Sequence, residues 1–454
     1  VNSDLKYLLT PLPEDIAKLK GCGDFTRALR VIDKRLEKEL PNSLKKRLEL
    51  ERYILKDIPA SYPYDFNAAL EKCQNAFQAF TADELTELWE MDAAEWYYID
   101  GKVHFKEDII ANLVKTRPHL AARVKDPVFK KDKEGNFSML DEIIAKMKSS
   151  GELACRIRIK ARLKLKKPAE RAGEMLRVHM PLPVEYAQVK NFKLLSTSHE
   201  PALVNASDYP QRTVFFETPC VPGETFFVEY EYTNHVKYVE PKPEAVLEAQ
   251  PSFYTEELEP HIVFTPYIKN ITREIVGGES NPLARARKIY DFVTTRVMYS
   301  FVRPYFTITN IPEYAATGLK GDCGIQALLF ITLCRCAGVP ARWQAGLYAN
   351  PLSIGHHDWA QFYVAPYGWL FADCSFGGAA WREGATERWN FYFGNLEPFR
   401  MPAASEFQFD FNPPMKFLRH DPYDNQGGEA EYADMRLENG DFETSQEVVS
   451  LTEL

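Results

Sequence analysis

The sequence predicts an α+β chain of several domains, running from a mostly helical region through an antiparallel β-sandwich to a mixed helix-and-sheet domain. Three observations predict it. Apolar residues recur every three or four positions as far as about residue 150, the period drops to two near residue 152, and both signals alternate from about 250 to 400. The expected boundaries are 1–150, 151–245 and 246–420, followed by an acidic C-terminal tail at 421–454. A chain of 454 residues, 45 % of them hydrophobic, can fill several cores.

In the first region Phe25, Leu29, Ile32, Leu36 and Leu40 form the stripe of an amphipathic helix, and Leu70, Cys73, Phe77 and Phe80 form another. Thr81 with Glu84 makes a capping box that should open a helix through Trp89. Asp100-Gly101, between two β-prone runs from Trp96 to Phe105, predicts a tight hairpin.

From residue 152, Arg156, Arg158, Lys160, Arg162 and Lys164 alternate with Ile157, Ile159, Ala161, Leu163 and Leu165, the pattern of a half-buried strand. Strand-like runs at 174–180, 188–196, 212–218 and 224–239 complete the sandwich signal. The basic stripe reads as a solvent face that discourages edge pairing.

In the third region Asn281 and Pro282 form an N-cap and first-turn pair opening a helix through Val293. A second helix is expected from Cys323 to Ala337, stopped by Gly338 and Pro340. Short strands follow at 341–349, 357–365 and 369–375, the last two joined by a turn at Pro366-Tyr367-Gly368. The tail predicts either a peripheral strand and helix or partial disorder.

Composition excludes several classes. A net charge of −9 argues against binding nucleic acid, whose phosphates attract clustered Lys and Arg. No run approaches the roughly 18 apolar residues that cross a bilayer. Eight cysteines with no CxxC pair support neither a disulfide framework nor a zinc site, so no metal and no cofactor are expected. The first residue is Val1 rather than Met, which leans the expectation for localisation toward export and leaves the cytoplasm open.

The chemistry is concentrated around Gly321-Asp322-Cys323-Gly324, which puts a thiol at a helix N-terminus. Free backbone N–H groups and the positive end of the helix dipole favour a thiolate there and can hold an oxyanion, and the flanking glycines leave room for a substrate carbonyl. His357 and Asp373 lie on neighbouring strands. In a regular hairpin turning at Pro366 to Gly368, paired residues sum to about 734, so their even separation places both side chains on one face. An imidazole beside a carboxylate is fixed in tautomer and stabilised when it takes the thiol proton. His356 and Asp358 alternate to the opposite face, while Trp359 returns to the His357 side, as a cleft wall or as core.

Four blocks in order, Gly321 to Gly324, Leu333-Cys334-Arg335-Cys336-Ala337-Gly338-Val339-Pro340-Ala341-Arg342, His357-Asp358-Trp359 and Gly368-Trp369-Leu370-Phe371-Ala372-Asp373, resemble the transglutaminase-like superfamily. The resemblance covers roughly residues 282 to 377 and includes the helix from Ile289 with the tyrosine, Tyr299, that ends it. It implies a papain-like fold with Cys323 as nucleophile, His357 as base and Asp373 as the orienting acid. The preceding sandwich is similar to β modules that stand before such domains in bacterial proteins. Cys374 departs from the pattern, which more often has a proline or another small residue after the acid. No residue matches the family's side-chain oxyanion donor, for which Tyr299, Tyr305 and Tyr314 are candidates.

The expected function is a cysteine-dependent amide hydrolase acting on peptide or protein substrates through a thioester. Protein-glutamine transamidation by the same triad is the alternative within the class, and a catalytically silent binding module is the alternative outside it. The oligomeric state is not readable from the sequence.

Overall fold

The computed structural model describes residues 2–126, 133–438 and 440–454. The helix Phe25–Leu36 turns Phe25, Ala28 and Ile32 into the core and ends before Leu40. The capping box forms both of its bonds, Glu84 N–H to Thr81 Oγ1 and Thr81 N–H to Glu84 Oε2, and starts the helix Ala82–Glu90. Strands Trp96–Ile99 and Lys102–Phe105 turn through Asp100 and Gly101, both at positive φ, as a two-residue hairpin requires.

Two four-stranded antiparallel sheets form the sandwich. One holds Glu152–Leu165 and Thr225–Lys237 at its centre, and the other holds Met175–Pro181 and Thr213–Pro219. Ile157, Ile159, Leu163, Val178, Phe216 and Tyr230 fill the space between them. The basic strand is internal rather than at an edge. Its charges meet glutamates on both neighbours, with Arg158 2.5 Å from Glu229 and Arg162 2.7 Å from Glu447. Opposite charges across paired strands, and not protection of an edge, account for the stripe.

The tail contributes strands to both sheets. Glu429–Glu431 pairs with Met175–Pro181, and Phe442–Glu453 pairs with Glu152–Leu165. Among the described residues neither strand is followed by a helix, and the segment ahead of the first, from His420 to Gln426, lines the cavity at Cys323.

That third region carries a five-stranded antiparallel sheet in the order Phe393–Gly394, Gly368–Ala372, Ile354–Val364, Ala341–Ala349, Arg400–Ala404. The helix Cys323–Cys336 lies on the face bearing Ala360, Phe362 and Leu370, with the Phe330 and Phe362 rings 5.9 Å apart. Helices Pro282–Arg296 and Ile311–Gly318 cover its other sides, which explains why nearly every residue in it is apolar. Among the described residues, no helix is long and apolar enough to cross a membrane.

Candidate active site

Asp373 ends the Gly368–Ala372 strand and caps the next helix, Cys374–Arg382, by accepting Phe376 N–H on Oδ1 at 2.9 Å. The sequence expectation carried the strand on to residue 375. The Asp373 cap, an N-cap residue type in front of small residues, was the available signal for this helix. The other carboxylate oxygen, Oδ2, faces His357 Nε2 at 2.8 Å. Pairing in the hairpin sums to 732 throughout, as in Ala360 with Ala372, two less than the sequence register. A slip of two preserves the face, so His357 and Asp373 meet on a diagonal.

Burial would push the Asp373 carboxyl up, but the His357 and Arg400 charges hold it at about 2. An ionised acceptor requires the proton on Nε2, which leaves Nδ1 as the basic nitrogen of His357. Burial lowers the His357 pKa against the pull of Asp373, so the imidazole is neutral at pH 7.

Cys323 starts its helix behind the Asp322 cap, whose Oδ1 accepts Ile325 N–H at 3.1 Å and the Tyr305 hydroxyl at 2.5 Å. The thiol meets the histidine strand one residue past His357, with Sγ 3.5 Å from Asp358 Oδ2. Among the described residues no hydrogen bond joins Sγ to His357. The strand alternates, so Asp358 and Cys323 share the face that carries the Cys323 helix, while His357 and Asp373 meet on the opposite face; the structure brings His357 and Asp373 together and holds the thiol against Asp358 instead. Burial, with the carboxylates of Asp358 and Asp322, pushes the thiol well up. This reverses the expectation of a lowered thiol. The helix terminus is outweighed by desolvation and two neighbouring acids. The pair at rest is thus thiol and neutral imidazole.

The glycines beside Cys323 serve packing rather than substrate access. A Cβ on Gly321 would fall 2.3 Å from Ile325 Cγ2, and one on Gly324 would fall 2.3 Å from the Tyr305 hydroxyl and 2.8 Å from Asp358 Oδ2. Trp359 is core on the His357 side, its Nε1 donating to Gln344 Oε1 at 2.5 Å. Cys374 turns into the core. Of the candidate oxyanion donors, Tyr299 lines the cavity and accepts from Lys115 Nζ at 3.0 Å, Tyr305 is committed to Asp322, and Tyr314 donates to Glu95.

Sequence reasoning missed Arg400. Its guanidinium is fully buried, donates to Asp373 Oδ2 at 2.8 Å, and holds both oxygens of Glu397 at 2.5 and 3.1 Å. No motif marks it, because it comes from the far edge strand of the sheet. Also unforeseen was the C-terminal segment over the site, where Gln426 Nε2 donates to Asp358 Oδ1 at 2.7 Å. Cys323 is partly exposed in a cavity of about 480 Å³, lined also by Tyr299, His356, Asp358 and Asp424.

Residues 269–374 match the family model of the Transglutaminase-like superfamily. An uncharacterized Haemophilus influenzae protein is 25 % identical over 229 residues, which are 43 % of this chain and 62 % of that protein. Among solved structures, a proposed cysteine protease from Cytophaga hutchinsonii aligns at 13 % identity and TM-score 0.38 over 67 % of this chain and 90 % of its own. The periplasmic domain of TgpA from Pseudomonas aeruginosa aligns at 16 % identity and TM-score 0.29 over 54 % of this chain and 94 % of its own. By the match across residues 269–374, this chain carries a domain of the transglutaminase-like superfamily.

Proposed function

We propose that this chain is a cysteine-dependent amide hydrolase, a peptidase or amidase, working through a thioester on Cys323. The supporting observations are the His357–Asp373 contact of 2.8 Å and a thiol at a helix N-terminus that reaches the same strand at Asp358, so that a local rotation of the imidazole around the strand end is needed to bring the two together. With thiol and imidazole both neutral at rest, Nδ1 of His357 takes the proton as sulfur attacks the carbonyl. Asp373 stays ionised and stabilises the imidazolium. The imidazolium then protonates the departing amine, and His357 activates the water that cleaves the thioester.

Transamidation is the second reading: the acidic cleft beside Cys323 concentrates protonated amines near the thioester, and one that sheds its proton away from the carboxylates can take the acyl group in place of water. One incubation separates the two. A glutamine-containing protein and a labelled primary amine are mixed with the enzyme, and label incorporation is compared with new peptide termini. Hydrolysis predicts new termini without incorporated label, both readings predict loss of all turnover in Cys323→Ala, and a silent binding module predicts neither product.

A further inference from the structure

The cavity at Cys323 is lined by an excess of carboxylates, among them Asp322, Asp358, Asp421 and Asp424. Asp424 is 94 % buried, and its Oδ1 has no hydrogen-bond partner among the described residues. Burial, with the neighbouring charges of Asp358 and Asp421, pushes the Asp424 carboxyl well up, so its ionised form needs a cation beside it. Lys106 pairs with Asp108, Arg303 lies 3.5 Å from Glu95, His420 faces Glu438, and Arg419 directs its nitrogens to Glu429, Gln211 and the Asp424 carbonyl rather than to the Asp424 carboxylate. Asp421 Oδ1 accepts the Tyr423 and Asp424 backbone N–H groups, which holds this side chain at the cavity wall.

From this arrangement we infer that Asp424, with Asp358 and Asp421, forms a subsite for a primary ammonium on the substrate, close to the amide that Cys323 attacks. A metal is the poorer occupant, since no three His, Cys, Asp or Glu side chains among the described residues are arranged to hold one. An ammonium needs only one or two carboxylates and supplies the donors that Asp424 lacks. The bound group is a recognition element and not the attacking amine, because an ammonium held as a cation has no free lone pair. The inference rests on the amide-hydrolase reading for its substrate, an amide bearing a free amine next to the scissile bond.

The test needs no turnover. Cys323 is labelled with cationic 2-aminoethyl methanethiosulfonate or neutral methyl methanethiosulfonate, each forming a mixed disulfide with release of methanesulfinate. Rates are read at the Cys323 peptide by mass spectrometry. Their ratio cancels the intrinsic reactivity of the thiol. The cation is expected to react about tenfold faster or more, with the preference collapsing toward one in Asp424→Asn. Asp421→Asn, at a less buried position, should at least halve the preference and serves if the first variant fails to fold. Equal rates for the two reagents, or a cation preference unchanged in whichever variant folds, would overturn the subsite. Cation preference without amide turnover would retain the subsite and remove the hydrolase reading. Turnover of amine-free amides without cation preference would do the reverse.

Discussion

Nε2 of His357 lies 2.8 Å from Oδ2 of Asp373, a carboxylate whose other oxygen caps the following helix at Phe376. One side chain therefore fixes the imidazole and anchors the helix behind it. Arg400 completes the arrangement from a strand at the sheet's edge.

Asp373→Asn removes the charge that stabilises the imidazolium and disturbs the tautomer. The expected loss in kcat is about 10²- to 10⁴-fold with little change in KM, read on an amide or activated ester. Arg400→Met instead strands two buried carboxylates, Glu397 and Asp373. It should cost about 3–5 kcal/mol in urea unfolding.

Stability should fall in acid through Asp373. Its folded pKa of about 2 lies below the unfolded value near 4, so its contribution is complete above about pH 4 and lost as pH falls through about 2. The contribution is on the order of 2 kcal/mol. Urea midpoints of the wild type should converge on those of Asp373→Asn as pH drops through this window.

The acid limb of kcat/KM should report His357. Burial lowers that imidazole, so the midpoint belongs below 6.5. Asp373 pulls it upward, and Asp373→Asn should therefore move the midpoint lower still. A pH–rate profile of both proteins on one substrate checks the direction.

Gly324→Ala drives a methyl into the Tyr305 hydroxyl and Asp358 at the helix start. Overpacking of this kind costs about 1–3 kcal/mol and should shift Cys323, lowering activity. Adding Tyr305→Phe removes the closer clash. The double variant is expected to recover part of the loss in both thermal unfolding and rate.

Much of this arrangement was legible locally. The apolar run after Cys323, stopped at Gly338 and Pro340, defines a helix, and the turn at Pro366 to Gly368 fixes the face shared by His357 and Asp373 despite a register slip of two. Arg400, Asp424 and Gln426 were not legible, because each reaches the site by tertiary packing from a segment whose own pattern carries no signal. The rise of the thiol was hidden for the same reason. It depends on how deeply tertiary packing buries Cys323 and on the Asp358 carboxylate, which the strand turns toward the sulfur.

The central claim is that Cys323 attacks acyl carbon with His357 as its base. Acetylation by p-nitrophenyl acetate, followed by intact mass and by the Cys323 peptide, tests it most directly. The account predicts a burst of nitrophenolate matched by one acetyl on Cys323, absent in Cys323→Ala and slowed about 10²-fold or more in His357→Asn. Acetylation of Cys323 at an equal rate with and without the imidazole, or none at all, would contradict it.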